Sequence, residues 1–307
     1  YSAYPQYKDG ELIGAVVAFM DNTERRKSRA HIDFLTYHDA LTGLYNRMYF
    51  ERALKSLDAE EHLPVAIIFG DVNGLKLTND VFGHAAGDTL LKRSAEILKK
   101  VCRESDVVAR VGGDEFAVLL PRTGPEAVKK VIERIRNEFG KERILAIKAS
   151  ISMGYAVKTG PDEQLERTVK DAEDAMYKEK TLDRKSVAAE MVRTILETLY
   201  ARSPREQKHS LAVAELCADA GRALGLPEPE TRRLREMGLL HDIGKIAVDD
   251  ALLNKNGTFT NEERKNIEQH PAVGYRILNL FDDTIDLAEG VLYHHENWDG
   301  SGYPIGA

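Results

Sequence analysis

Cysteine is scarce in this chain: 307 residues hold only Cys102 and Cys217. Two isolated thiols form neither a disulfide framework nor a paired metal knuckle, the usage expected of a reducing compartment, so a cytoplasmic location is expected. Long apolar runs are missing as well. Ala15 to Met20 is the longest near the start, far short of the ~20 residues that cross a bilayer, so no membrane segment is expected here, although a longer chain could be tethered upstream. Positive charge is not in excess. The 43 Lys and Arg against 50 Asp and Glu leave a formal charge of -7, which argues against the basic footprint of non-specific nucleic-acid binding. Compositional bias is absent too. With 43% hydrophobic and 30% charged residues, the chain is neither disordered nor fibrous. No signal-peptide pattern opens it. The first residue is Tyr1 rather than Met, so an excerpt of a longer chain is expected. At ~150 residues per domain the length predicts two domains.

What is present divides into three stretches. Tyr7-Lys8-Asp9-Gly10-Glu11 is a turn signal before a β-branched run, Leu12 to Met20, and predicts an extended pair. Asp21-Asn22-Thr23 caps a charged helix expected over Glu24 to Leu35. A last strand followed by "DNTERRK" resembles the end of a PAS sensor domain and its signalling helix, which assigns residues 1–38 to a PAS-like tail. Residues 39–185 alternate strand and helix patterns. Val65–Val72, Val107–Val111, Phe116–Leu120 and Ile144–Val157 read as strands; Ala85–Val101, Ala127–Phe139 and Glu163–Lys180 read as helices. That alternation indicates an α/β or α+β sheet domain. Beyond a boundary near 183–187, residues 186–307 read as all-helical over Val187–Tyr200, Ser210–Leu224, Glu228–Leu240 and Glu262–Leu280. Five of the nine histidines fall between 209 and 295.

Two constellations carry chemistry. Gly112-Gly113-Asp114-Glu115-Phe116 lies in a predicted hairpin, and Asp71-Val72-Asn73-Gly74 closes a buried strand. Gly-Gly-Asp alone would be an ordinary turn. With Asp71 on an adjacent strand end, where such folds place ligand chemistry, the three carboxylates form a hard-oxygen site suited to Mg²⁺ on phosphates. Lys180 and Arg184, four residues apart on a helix, share a face.

These residues, with "DALTGLYNR" (39–47), "DVNGLKLTNDVFGHAAGDTLL" (71–91), "RESDVVARVGGDEFAVLL" (103–120) and "AEDAMYKEK" (172–180), resemble the GGDEF diguanylate cyclases, which make cyclic di-GMP from two GTP. The resemblance implies an α+β fold with a central, mostly antiparallel sheet flanked by helices, related to nucleotide cyclase and polymerase palm domains. It implies Mg²⁺ (or Mn²⁺) held by Asp71, the Val72 carbonyl, Asp114 and Glu115, with Glu115 as ligand or base. It places Asn79 and Asp88 on the guanine edge, Lys180 and Arg184 on the triphosphate, Lys76 within phosphate reach, and His84 as packing residue or ligand contact. One GTP per domain implies a homodimer for cyclase activity, controlled by an upstream sensor domain. Arg103-x-x-Asp106 resembles the family's inhibitory product site, with Arg134 adding to it; a plain surface ion pair is the competing reading. Two residues depart from the pattern: Asn73 where Asp is frequent, and Asp183 where a Gly often precedes the Arg.

The second constellation is His241-Asp242-x-x-Lys245 after an apolar stretch, with His209, His270 and His294-His295 dispersed around it. Such a multi-histidine set suits Fe, Mn or Zn. "LLHDIGKIAV" (239–248), "LNKNGTFTNEE" (253–263), "HPAVGYRIL" (270–278) and "HHENWDGSGYP" (294–304) resemble the HD-GYP phosphodiesterases, an all-α HD-type family that hydrolyses cyclic di-GMP. By that resemblance His209, His241, Asp242, His270, His294 and His295 hold two metal ions, Lys245 stabilises phosphate, and Gly302, Tyr303 and Pro304 form the family's loop. The chain stops before the family's later helices and a further ligating Asp, so an incomplete metal site with weak or absent phosphodiesterase activity is expected. Arg205 stands where some members place an acidic ligand, which argues against a third metal. The expected function is thus a two-way cyclic di-GMP enzyme. Two alternatives stand beside it: a phosphodiesterase regulated by GTP on a non-cyclising GGDEF domain, and a non-enzymatic cyclic di-GMP receptor.

Overall fold

The computed structural model describes residues 2–18 and 34–306. The first two strands, β1 (Ser2–Lys8) and β2 (Glu11–Ala18), pair antiparallel. Asp9 and Gly10 both have positive φ, 50° and 87°, the two-residue turn that matches the twist of a hairpin. The charged helix expected over 24–35, with its cap at 21–23, lies outside the described residues except for a helical turn at 34–37.

Residues from Tyr45 onward build a five-stranded sheet in the order β3-β5-β6-β4-β9. Its strands are β3 (Tyr45–Asn46), β4 (Val65–Val72), β5 (Val107–Arg110), β6 (Glu115–Leu120) and β9 (Ile151–Lys158). β3 and β5 are parallel; every other pair is antiparallel. All eight residues of β4 are buried, so its apolar run is continuous rather than alternating. Alternate residues serve opposite faces. Ala66 and Ile68 join the cluster under α3 (His84–Val101) and α4 (Pro125–Phe139). Ile67 and Phe69 join Phe50 of α1 (Arg47–Ser56) and Ala172 and Met176 of α5 (Leu165–Arg202). The sheet domain is therefore α+β with helices on both faces, as expected.

Three elements differ from the sequence reading. Ile144–Val157 is not one strand. A small hairpin, β7 (Arg143–Ile144) and β8 (Ile147–Lys148), turns at Leu145, whose φ is 54°, before β9 begins. Ala146 and Ile147 of this hairpin are buried against the helical domain, which is why the stretch is apolar without joining the five-stranded sheet. Glu262–Leu280 is two helices, α9 (Asn261–Ile267) and α10 (His270–Leu278). Pro271 sits in the first turn of α10, where its missing N–H costs nothing. Conversely, Glu163–Lys180 and Val187–Tyr200 are one helix, α5 (Leu165–Arg202), 38 residues long and about 57 Å from end to end. Residues 181–186 of it are solvent-exposed. Their sequence TLDRKS is polar, hence the linker-like reading, but it holds no Gly or Pro to stop a helix.

Further short helices complete the chain: α2 (Leu75–Phe82), α6 (Pro204–Ala223), α7 (Glu228–Leu240), a 3₁₀ turn (Ile243–Ala247), α8 (Asp250–Leu253) and α11 (Ile285–Tyr293). The helical domain is not separate from the sheet domain. Leu77 and Val81 of α2, and Ile147 of the hairpin, share one buried cluster with Met191, Ile195, Ile243, Val273 and Ile277.

Candidate active sites

The first centre forms where β4 and β6 end together. Asp71 stands opposite Glu115 in the ladder, so both side chains leave the same face. Asp71 is 4% exposed. Lys180, from α5, donates to Asp71 Oδ2 at 2.6 Å. Burial pushes the Asp71 carboxyl up; Lys180 opposes this, and the neighbouring charges of Asp114 and Glu115 add to it. A buried carboxylate crowded by two others is a site lacking positive charge, which is what a divalent cation supplies. The loop is braced from behind. The Val72 N–H donates to the Asp114 carbonyl at 3.0 Å. Arg110 Nη2 donates to the Gly113 carbonyl at 2.7 Å while Nη1 reaches Asp39 Oδ1 at 3.1 Å. Arg110 escaped the sequence reading, although it joins "DALTGLYNR" to the Gly-Gly turn. Burial alone would raise Asp39; its hydrogen bonds with Thr42 and Arg110 hold it below the ordinary range.

The other candidates of this domain take these places. Asn73 bonds Ser150 Oγ and Ser152 Oγ at 3.1 Å each. Gly74, at φ 77°, starts α2, which carries exposed Lys76 and half-buried Asn79. A side chain at Gly87 would meet Asn79 Oδ1 at 2.0 Å, so α3 lies directly on that amide with exposed Asp88 the next residue. His84 is exposed at the start of α3. The Glu115 carboxylate leans over Gly112, where a Cβ would come within 2.5 Å of Oε2. Arg184 pairs with Asp282 of the helical domain at 3.5 Å. Asp106 Oδ2 accepts from its own turn, the Arg103 N–H, at 2.7 Å. Arg134 donates to the Val101 carbonyl, which ties α4 to the end of α3 beside that turn.

The second centre gathers around Asp242, which is 1% exposed. Oδ2 faces His241 Nε2 at 3.0 Å, Lys245 Nζ at 2.9 Å and His209 Nε2 at 3.4 Å; Oδ1 faces His270 Nε2 at 3.1 Å and His294 Nε2 at 3.9 Å. His295 completes a four-residue donor group with Asp242, His270 and His294. The tautomers follow from the other ring nitrogens. Nδ1 of His241, His270 and His294 each meets a carbonyl three residues back, Gly238, Ile267 and Val291, at 2.7–2.8 Å. A carbonyl only accepts, so each Nδ1 carries the proton and each Nε2 points a lone pair inward. His209 and His241 Nε2 are then 3.2 Å apart, as are His270 and His294 Nε2. Asp242 Oδ1 is buried and accepts no hydrogen bond. Lone pairs converging on each other and on an orphaned carboxylate oxygen repel unless a cation lies between them. The donor set therefore fits divalent metal ions.

Burial would raise the Asp242 carboxyl, but the Lys245 ammonium beside it opposes this and the carboxyl lies below the ordinary range. Burial pushes His294 and His295 down to about 4, which keeps both rings neutral and able to ligate. Lys245 is raised because Asp242 and Glu206 outweigh its burial. Glu206 is the residue sequence reasoning missed: 4% exposed, its Oε2 accepts from Lys245 Nζ at 2.8 Å. Arg205 Nη2 donates to the Leu253 carbonyl at 3.0 Å and lies 3.5 Å from Glu206 Oε1. The Gly302-Tyr303-Pro304 loop folds back over the site. Tyr303 stacks on His295 with centroids 4.6 Å apart. A Cβ on Gly302 would lie 2.4 Å from the Asn297 nitrogen, so only glycine permits that return. Glu296 pins the end of the loop, accepting the Ile305 N–H at 2.6 Å.

Residues 36–186 match the family described as "Diguanylate cyclase, GGDEF domain", and residues 186–307 match that described as "HD domain". Over 130 residues the chain is 42% identical to "Probable diguanylate cyclase DgcE" of Escherichia coli, covering 41% of this chain and 12% of that protein. Over 174 residues it is 33% identical to "Diguanylate cyclase DgcM" of the same organism, covering 55% of this chain and 42% of that protein. The chain thus spans less than half the length of these relatives. A solved structure of the coiled coil and GGDEF domain of DgcB from Caulobacter crescentus, in complex with c-di-GMP, aligns with TM-score 0.47 and 25% identity over 52% of this chain and 87% of that one. No described helix is long and apolar enough to cross a membrane. The chain carries a GGDEF domain followed by an HD-family domain.

Proposed function

We propose that the GGDEF domain condenses two GTP into cyclic di-GMP and that the HD domain, as an HD-GYP-type phosphodiesterase, hydrolyses the same messenger. The observation that carries the first half is buried Asp71 opposite Glu115, with Lys180 at 2.6 Å from its carboxylate. Asp71, Asp114 and the Val72 carbonyl would hold Mg²⁺ or Mn²⁺, which neutralises the triphosphate when bound. Lys180, Arg184 and Lys76 orient the phosphates. Asn79 and Asp88 read the guanine edge. Glu115 accepts the proton of the attacking 3′-hydroxyl. Each domain offers one such site, so ring closure takes a second copy facing the first. Arg103 and Asp106 form the proposed product-feedback site.

In the HD domain, His209, His241 and Asp242 would hold one divalent ion, and Asp242, His270, His294 and His295 another. Fe, Mn or Zn suits these donors, and when bound supplies a nucleophile from water at neutral pH. Lys245, held by Glu206, faces the phosphate side as a cation. Purified chain incubated with GTP and Mg²⁺ should yield cyclic di-GMP, and Asp71→Asn should abolish it. A dimeric preparation that forms no cyclic dinucleotide refutes the cyclase reading. Retention of feedback in Arg103→Ala refutes the inhibitory site. For the HD domain, Mn²⁺-loaded chain should open cyclic di-GMP, though weakly, and His241→Ala should abolish what activity there is.

A further inference from the structure

The cleft of the first centre is not built by the GGDEF domain alone. Its 260 Å³ is lined by Asp71, Asp114 and Lys180 on one side, and by Leu280 and Phe281 of the HD domain on the other. Two ion pairs join the same edges, Arg184 with Asp282 at 3.5 Å and Lys185 with Asp283 at 3.2 Å. Residues 280–283 are the tip of a helical hairpin. Its arms are α10 and α11, and the far ends of those arms are the second centre: His270 is the first residue of α10, and His294 and His295 directly follow α11. One nine-residue helix, about 13 Å long, thus separates a metal-ligand candidate from the wall of the nucleotide cleft.

We propose that this hairpin is a lever coupling the two centres, its tip docked over the nucleotide cleft in a state of low nucleotide affinity. The inference rests on the reading that Mg-nucleotide binds between Asp71 and Lys180. Three observations make the hairpin act as a lever. Its arms are stiff. A Cβ on Gly274 of α10 would press the Val291 side chain of α11 at 2.8 Å, and one on Gly244 would meet the His270 carbonyl at 1.9 Å, so the arms are closely packed and the turn after Asp242 lies against the α10 backbone. Packed contacts of that kind pass displacement on rather than absorb it. Its tip has somewhere to go. Phe281 also lines a neighbouring cavity of 330 Å³, with Val192, Leu196, Leu240 and Leu287 on its walls. The side chain is thus the partition between two spaces. Its charge opposes the ligand. Asp282 sits on Arg184, a cation that a triphosphate would use, and Asp283 on the adjacent Lys185; an incoming polyanion both competes for Arg184 and repels the two carboxylates.

Nucleotide binding then drives the tip off the cleft, and the displacement reaches His270, His294 and His295. Linkage requires the reverse: occupancy of the second centre changes nucleotide affinity by the same factor.

The test uses the whole chain with Mg²⁺ and guanosine 5′-[βγ-imido]triphosphate. Calorimetry should show Phe281→Ala binding the nucleotide at least about fivefold more tightly than wild type, the lower end of ordinary allosteric coupling. Hydrogen exchange on wild type should rise across residues 279–293 when nucleotide is added. Equal affinities, within about twofold, or binding that leaves 279–293 unchanged, overturns the lever while leaving the nucleotide site standing. Nucleotide that binds neither wild type nor Phe281→Ala overturns the cleft reading itself, and the lever with it. The exchange measurement needs no variant, so it decides the matter even if Phe281→Ala folds poorly.

Discussion

Removing Lys245 should cost the HD domain far more than a surface charge would. Its ammonium donates to Glu206 Oε2 at 2.8 Å and Asp242 Oδ2 at 2.9 Å. The two carboxylate side chains are 5% and 2% exposed, and the lysine 17%. In Lys245→Met the aliphatic stem is kept but two buried carboxylates lose their shared cation. Breaking a buried pair from one side costs about 3–5 kcal/mol, against total domain stabilities of about 5–15 kcal/mol. Part of that penalty is the stranded Glu206 rather than the lost bond. Lys245→Met/Glu206→Gln should therefore recover about half of it, because a neutral amide is less costly to bury than an unpaired carboxylate. Urea titrations of the metal-free chain, followed by far-UV circular dichroism, measure both. A Lys245→Met penalty under about 1 kcal/mol would mean that the trio is hydrated and worth no more than an exposed pair. A double variant less stable than the single one would mean that Glu206 is held mainly by Arg205, whose Nη2 lies 3.5 Å from Oε1, rather than by Lys245.

Three further outcomes are expected. Gly154→Ala should destabilise by about 1–3 kcal/mol or more in the same titration, since its Cβ would come within 2.0 Å of the Met176 nitrogen and 2.4 Å of the Ala172 carbonyl and α5 cannot retreat without moving Lys180. Met191→Ala, at the centre of the cluster shared by both domains, should cost about 2–5 kcal/mol, and limited proteolysis should then cut first near the exposed residues 181–186. His294 and His295 stay neutral in the folded chain down to about pH 4, whereas the unfolded chain takes up those protons from about 6.5. The unfolded state therefore binds more protons between these limits, and metal-free stability should fall as pH drops from 6.5 toward 4. His294→Gln/His295→Gln should flatten that part of the profile.

Much of this protein is legible in one dimension because its chemistry is local in sequence. Gly112 to Phe116 is at once turn, carboxylate pair and strand start, and Asp71 ends an eight-residue apolar run that had to be a buried strand. The histidine set was visible by composition. What pattern could not supply is which groups meet across long separations. Arg110 and Glu206 each look like one more charged residue on a helix or strand, and only burial beside Asp39 and Lys245 gives them roles. Polarity at 181–186 imitates a linker, but helix propensity without a breaker continues α5, and this continuity brings the HD domain against α2.

Residue type and spacing by themselves determined the two centres, their donor chemistry and the α+β and helical classes, because hydrophobic period and ligand identity are written residue by residue. Tertiary structure alone decided that Asp242 presents one oxygen to each histidine group, that Nε2 lone pairs converge around it, and that Phe281 walls the cleft of the other domain. Those facts depend on close packing between segments up to two hundred residues apart, where glycines such as 244 and 274 let backbones touch. No period in the sequence encodes such contacts.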